Sequence, residues 1–246
     1  MRDLMLAVPS RGRPHNVRRL HASLRETCTG DTTLVVGLDA DDPALDGYLT
    51  GDPGDPALLY VIKPDLHKVT AWTNALVMPN AGEFRAFGQV GDDNVFRTPG
   101  WDTRIMEALE TTPFAFGNDQ YPSREPGTLS CHVFMRAEVV EKLGYFGPPS
   151  IAHMYVDVAW YAWGMACGIT YLHDVLIPHL HYTVGAPHDD TYQNSFAGTG
   201  QDLAAWHAYS RGGQLTEDIL KLGGDPFTDE TLAEFNRRLF IPERWN

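Results

Sequence analysis

Gly91-Asp92-Asp93-Asn94 directly follows the apolar run Phe84-Arg85-Ala86-Phe87-Gly88-Gln89-Val90, which reads as a strand. Two adjacent carboxylates therefore stand where a buried strand meets a loop. Like charges packed together are costly unless a cation or hydrogen bonds offset them. Carboxylate oxygens suit Mg2+ or Mn2+, ions that commonly complete their coordination with a substrate phosphate. The same pair would also serve as a plain turn ending the strand. Asp92 and Asp93 should point opposite ways if the extended geometry persists. Three other polar groups could join such a site. In Pro9-Ser10-Arg11-Gly12-Arg13-Pro14, Arg11 and Arg13 could pair with phosphates. In Asp39-Ala40-Asp41-Asp42-Pro43, Asp39 and Asp41 could accept from a base N–H or sugar hydroxyls, with Asp42 shaping the turn. His179-Leu180-His181 offers two imidazoles of the same parity, which could face a metal or simply alternate on a β segment. Asp157 is the one acid in a segment rich in Tyr155, Trp160, Tyr161 and Trp163. A carboxylate in apolar surroundings suits a general base, and an ion pair on a helix face is the alternative.

The elements that would position these residues alternate in type. Leu4-Met5-Leu6-Ala7-Val8 reads as a buried strand, followed by a helix with Pro14 in its first turn and Val17, Leu20 and Leu24 on one face. Strands are expected at 33–38, 58–62, 84–90 and 114–116, and helices at 69–77 and 101–110. Residues 47–56 are rich in Gly, Pro and Asp and read as an exposed loop. This β/α alternation implies a largely parallel sheet covered on both faces, with ligands bound beyond the carboxyl ends of the strands. Ser10 to Arg13, Asp39 to Asp42 and Gly91 to Asn94 all fall at such ends.

Beyond 116 the pattern mixes. Residues 130–135 read as a strand and 137–143 as a helix closed by Gly144. Residues 154–168 read as a helix, then 169–172 and 175–177 as short β runs. The Gly-, Pro-, Asp- and Asn-rich stretch 185–200 reads as a mobile loop whose His188-Asp189-Asp190 could close as a lid. The last element is a helix over 229–238, capped by Thr228. Trp72, Trp160 and Trp163 could stack on a sugar or base, although core packing accounts for each.

Composition narrows the function classes. The 246 residues carry a net charge of -13, which argues against a broad nucleic-acid or anionic-membrane surface. Cys28, Cys131 and Cys167 are far apart and odd in number, so a disulfide framework is not expected and a reducing cytosol is the simplest setting. No apolar stretch is long enough for a membrane span.

The order of these pieces resembles the GT-A glycosyltransferases, especially the inverting family 2 and its small phage-encoded relatives. Val8-Pro9-Ser10-Arg11-Gly12-Arg13-Pro14 is similar to that family's first strand and turn. Val35-Val36-Gly37-Leu38-Asp39-Ala40-Asp41-Asp42 is similar to its second strand and nucleotide-contacting acid. Gly91-Asp92-Asp93 sits where the family has its metal-binding Asp-x-Asp. Leu129 to Phe146 resembles its acceptor-side strand and helix, and Tyr155-Val156-Asp157-Val158 its base. The resemblance covers roughly residues 4–185 and departs from the pattern at Gly91 and Val156. It implies a GT-A catalytic domain over 1–185, with 186–246 as a loop and helical extension packed on the same domain. It also implies donor contacts from Pro9, Ser10, Arg11, Arg13, Asp39, Asp41 and Asp92. A Mn2+ or Mg2+ ion would be held by Asp93 and His181, and Asp157 would be the base. The donor would be a nucleotide sugar, UDP-linked by preference. The acceptor would be a protein, a glycan or a modified base, and the setting the cytoplasm (of a host, if phage-encoded). A nucleotidyltransferase and a non-catalytic nucleotide-sugar-binding module stand as alternatives. The first would want a glycine-rich loop with a nearby lysine, and Arg11-Gly12-Arg13 has one glycine.

Overall fold

The computed structural model describes all residues except 51–57, 65, 122–126, 183–184, 186–197 and 244–246. Strand β1 (Arg2–Ser10) is an interior strand of a seven-stranded sheet with β2 (Thr32–Asp39) and β3 (Leu58–Lys63) on one side. On the other side come β4 (Phe84–Gln89), β6 (Val133–Arg136), β5 (Phe114–Asn118) and β7 (Ile169–Leu176). Neighbouring pairs are parallel except that β6 runs against both β4 and β5. The mostly parallel, helix-covered sheet expected from the alternation is therefore present.

The helices follow from where the apolar residues fall. Helix α1 (Pro14–Thr27) begins with proline at its first turn and buries Val17, Leu20 and Leu24. With α4 (Trp101–Thr111) it covers the face of the sheet formed by Leu4, Leu6, Val8, Leu34 and Val36. The alternate residues Met5, Ala7 and Val35 face α3 (Val69–Val77), α5 (Ala137–Leu143) and α6 (Val156–Cys167). Both faces of β1 are thus apolar, which is why its pattern reads as a continuous run rather than an alternating one.

Several boundaries differ from expectation. A short helix α2 (Leu45–Leu49) occupies the start of the segment expected as loop, because Asp42 caps the preceding turn and Tyr48 is buried. The two expected β runs before His179 form the single strand β7. Helices α7 (Thr199–Arg211) and α8 (Gln214–Leu222) precede the expected α9 (Asp229–Arg238). The capping box of α9 is formed by Thr228 and Thr231. The expected lid His188-Asp189-Asp190 lies outside the described residues, as does most of the loop around it.

The C-terminal helices pack under α6 through one buried carboxylate. Asp218 on α8 is fully enclosed and accepts from the hydroxyls of Tyr145 and Tyr209, the latter at 2.6 Å. Gln214 Nε2 donates to its other oxygen at 3.0 Å, and Trp163 Nε1 donates to Tyr209 at 2.9 Å.

Candidate active site at the strand carboxyl ends

The loop after β1 gathers the acids. Ser10 Oγ donates to Asp92 Oδ2 at 2.5 Å. The Arg13 guanidinium, only 5% exposed, lies 3.5 Å from Asp92 Oδ1 and 3.8 Å from Asp93 Oδ2. Asn16 Nδ2 approaches Asp92 Oδ1 at 3.4 Å. The Tyr48 hydroxyl accepts from the Arg13 backbone N–H at 2.8 Å and sits 3.0 Å from Ser10 Oγ, which fixes the loop. Arg13 is therefore held against the acidic pair rather than presented to solvent.

Opposite orientation of Asp92 and Asp93 was expected from strand alternation, and the backbone overrides it. The strand stops at Gln89, and Gly91 to Asn94 close a turn through Asn94 N–H to Gly91 O at 3.1 Å and Gly91 N–H to Asn94 Oδ1 at 2.7 Å. In a turn the two-residue alternation no longer holds, so both acids reach Arg13. They still divide their surroundings: Asp92 faces Ser10 and Asn16, and Asp93 Oδ1 faces His179 Nε2 at 3.1 Å. Glycine at 91 has a local cause, since a Cβ there would stand 2.5 Å from Asp93 Oδ1.

His179, placed behind His181 from the sequence, is the imidazole in contact with Asp93. The two rings do share a side, with centroids 5.2 Å apart, and His181 packs at ring distances of 5.7 Å from Tyr121 and 4.2 Å from Tyr182. An isolated bridge between Asn94 and His179, with Leu180 N–H donating to Asp93 O at 2.9 Å, brings the segment after β7 against the turn. Cys131, just before β6, completes this corner. Its Sγ accepts from Asn94 Nδ2 at 3.7 Å and lies 3.9 Å from His132 Nδ1.

These contacts set the protonation of the corner. Burial raises Asp92 to about 6, reinforced by the charge of Asp93 and opposed by Arg13, Ser10 and Asn16. Burial alone would lower His179, but Cys131 and Asp93 outweigh it and hold the imidazole well above its ordinary value. Burial alone would raise the Cys131 thiol, but His179 and His132 bring it down to about 7.

At the end of β2 a second acidic group forms around Asp39. Its Oδ1 accepts from Trp72 Nε1 at 2.9 Å and from the His67 backbone N–H at 3.1 Å. Arg11 NH1 bridges Asp39 Oδ2 at 3.3 Å and Asp41 Oδ1 at 2.6 Å. The His67 ring lies 3.3 Å from Asp39 and 3.6 Å from Asp41. Asp42 is occupied by the turn, accepting from Gly12 and Ala44 N–H at 2.8 Å each. Pro9 pairs with Gly37 within the sheet, and its neighbours carry the polar contacts. Trp72 fits because Gly37 faces it: a Cβ at 37 would stand 2.4 Å from the indole.

Asp157 occupies the first turn of α6, directly after Tyr155 in a left-handed conformation (φ 71°), and accepts from Val158 N–H at 3.0 Å. It is partly exposed rather than enclosed by the aromatic face of its helix, because Trp160 and Trp163 turn into the core. The preceding loop is fixed by Asp202, which accepts from Ala152 N–H at 3.2 Å and Met154 N–H at 2.9 Å. In this loop His153 lies within reach of the charges of Asp202, Lys68, Asp157 and Arg13, and burial lowers its pKa. His67, Cys131 and His153 carried no signal in the sequence, since each is a lone side chain whose neighbours come from distant segments.

No protein-family profile and no curated protein sequence matches the chain. Solved structures do. Staphylococcus aureus TarS (residues 1–349) in complex with UDP-GlcNAc aligns with a TM-score of 0.68 at 13% identity, covering 98% of this chain and 73% of that one. The mannosyltransferase PcManGT from Pyrobaculum calidifontis, in complex with GDP-Man and Mn2+, aligns at 0.56 and 12% identity over 98% of this chain and 85% of that one. Glucosyl-3-phosphoglycerate synthase from Mycobacterium tuberculosis, in complex with Mn2+, UDP and phosphoglyceric acid, aligns at 0.53 and 11% over 83% and 78%. Likeness at this level of identity speaks to architecture: the chain has the GT-A glycosyltransferase fold.

Proposed function

We propose that this protein is a glycosyltransferase that moves a sugar from a nucleoside-diphosphate donor to an acceptor hydroxyl, with inversion. The observation that carries the reading is the Asp93–His179 contact at the carboxyl rim of the sheet, beside Asp92 and the Arg13 loop, on a fold shared with nucleotide-sugar transferases. A carboxylate oxygen and an imidazole nitrogen in contact are a fitting donor pair for Mn2+ or Mg2+ whose remaining positions go to phosphate oxygens. Such an ion would be held by Asp93 and His179, with His181 behind, and would neutralise the leaving diphosphate. Two of the solved neighbours carry Mn2+.

The chain's own residues supply the rest. Asp39 and Asp41 offer carboxylate acceptors to the base or ribose once Arg11 releases them, and Arg11 is then free for phosphate. Pro9 and Ser10 line the floor of the donor site, with Asp92 turned to the donor's ribose or sugar. Asp157 takes the proton of the acceptor hydroxyl as that oxygen forms its bond to the anomeric carbon and the carbon–phosphate-oxygen bond breaks. Direct displacement from the face opposite the diphosphate inverts the anomeric centre. UDP-sugars are the favoured donors, and a protein, glycan or modified base the acceptor. Residues 1–185 carry the reaction and 186–246 extend the same unit.

A panel of nucleotide sugars with Mn2+ tests this by thermal shift and by release of nucleoside diphosphate. The expected result is a donor-specific rise in melting temperature with metal-stimulated release. Asp157→Asn should keep the donor-induced shift while losing transfer by a factor of about 100 or more. A shift without release in the wild type would indicate a binding module. Pyrophosphate release from a nucleoside triphosphate would indicate a nucleotidyltransferase.

A further inference from the structure

We propose that Asp202, on α7, is a positioning residue for Asp157, and that the transfer step depends on its carboxylate through the segment that leads into α6. The inference rests on the reading of Asp157 as the base, and concerns what holds that base in place.

The segment joining α5 to α6 is gripped near both of its ends. At the first, the Asn74 side chain on α3 accepts from the N–H groups of Phe146 and Gly147 at 2.8 and 3.0 Å and donates to Gly147 O at 2.9 Å. At the second, Asp202 accepts from Ala152 N–H through Oδ1 at 3.2 Å and from Met154 N–H through Oδ2 at 2.9 Å. Ala152 is held from its other side as well, because its carbonyl accepts from Thr70 N–H in the first turn of α3 at 3.1 Å. Two residues further along α3, Trp72 donates to Asp39. Ala152 is thus bonded both to the helix that fixes Asp39 and to the helix that carries Asp202.

Asp202 is 5% exposed. Burying a carboxylate is costly unless hydrogen bonds to the charged form offset it. Here each oxygen takes one backbone N–H, from residues two apart. An amide in its place has one acceptor oxygen and turns a donor toward the second N–H. Directly after this grip Tyr155 adopts φ 71°, a left-handed conformation that side-chain-bearing residues avoid, and Asp157 follows in the first turn of α6. Such a backbone persists only where its surroundings over-determine it, and such positions gather at functional sites. The bond to Met154 N–H, one residue before Tyr155, supplies that constraint. Without it Tyr155 relaxes, the first turn of α6 shifts and the Asp157 carboxylate moves with it. A misplacement on the order of 1 Å costs up to about 100-fold in rate.

The test is a double-mutant cycle on the full chain, read as release of UDP from a UDP-sugar in Mn2+ with water as the stand-in acceptor. Asp202→Asn should lower kcat roughly 10- to 100-fold and leave the donor KM within about twofold, because its contacts are to the loop and not to the donor. In an Asp157→Asn background the same change should alter the residual kcat by less than about twofold, since no base is left to misplace. Equal losses in the two backgrounds, or a raised donor KM at unchanged kcat, would overturn the proposal and make Asp202 a general support of the fold. If Asp202→Asn does not fold, Asp202→Ser, whose hydroxyl accepts one of the two N–H groups, takes its place in the cycle. The base reading fails separately. Full release from Asp157→Asn alone sinks that reading and this inference with it, whereas release lost in Asp157→Asn with an additive Asp202→Asn effect sinks only the inference.

Discussion

At the scale of single residues, Asp92 carries an electrostatic consequence that pH can read. Its carboxyl is pushed from 3.8 to about 6 by burial and by Asp93. A folded value above the unfolded one means that this group's contribution to stability is complete below about 4 and is lost as pH rises through about 6. In metal-free buffer the wild type should therefore lose this group's contribution as pH rises from 4 to 7. Asp92→Asn should gain on the order of 1–3 kcal/mol over the wild type at pH 7 and nothing at pH 4. Thermal melts in chelator across that range check it, and parallel curves would remove the assignment. Gly37 gives a packing counterpart. A Cβ there meets the Trp72 indole at 2.4 Å, and that indole donates to Asp39. Gly37→Ala should cost roughly 1–3 kcal/mol and weaken donor binding in the same variant.

Elements decide how those residues are presented. The turn after β4 shows this most directly, because Gly91 leaves room for the Asp93 carboxylate at 2.5 Å from where a Cβ would stand. Gly91→Ala should displace that carboxylate and lower metal affinity by about tenfold, with a small change in melting temperature. Calorimetric metal titration beside a thermal melt separates the two effects. Helix α9 is independent of the site, and Thr228 caps it by accepting from Thr231 N–H at 3.2 Å. Thr228→Ala should cost about 1 kcal/mol in chemical denaturation. Elements with strong periodicity or caps were legible from the chain: α3, α5 and α9 have the expected bounds. Helix α7 was not, because Thr199-Gly200-Gln201-Asp202 opens it with residues that favour turns, and its buried Leu203, Trp206 and Tyr209 matter only once α6 is beside it.

For the whole molecule, the fully buried Asp218 connects the C-terminal helices to the sheet domain through Tyr145, and through Tyr209 to Trp163 on α6. Removing one partner from an enclosed polar network leaves the others unsatisfied. Asp218→Ala should cost about 2–4 kcal/mol in urea unfolding. The wild type should unfold in one transition if 186–246 belongs to the same cooperative unit, and two separated transitions would divide it. Among the described residues no helix is long and apolar enough to cross a membrane.

What the sequence determined by itself was the alternation of strands and helices, and with it the parallel order that puts Ser10, Asp39 and Asp92–Asp93 at one rim. Period and burial are local properties, so a linear chain displays them. What only the tertiary structure decided was which polar groups meet. Arg13 reaches Asp92 across 79 positions, and His179 rather than His181 meets Asp93. Two histidines of equal parity are indistinguishable until the segment after β7 lies against the turn after β4, because hydrogen-bond reach depends on a separation of about 3 Å that no spacing along a chain encodes.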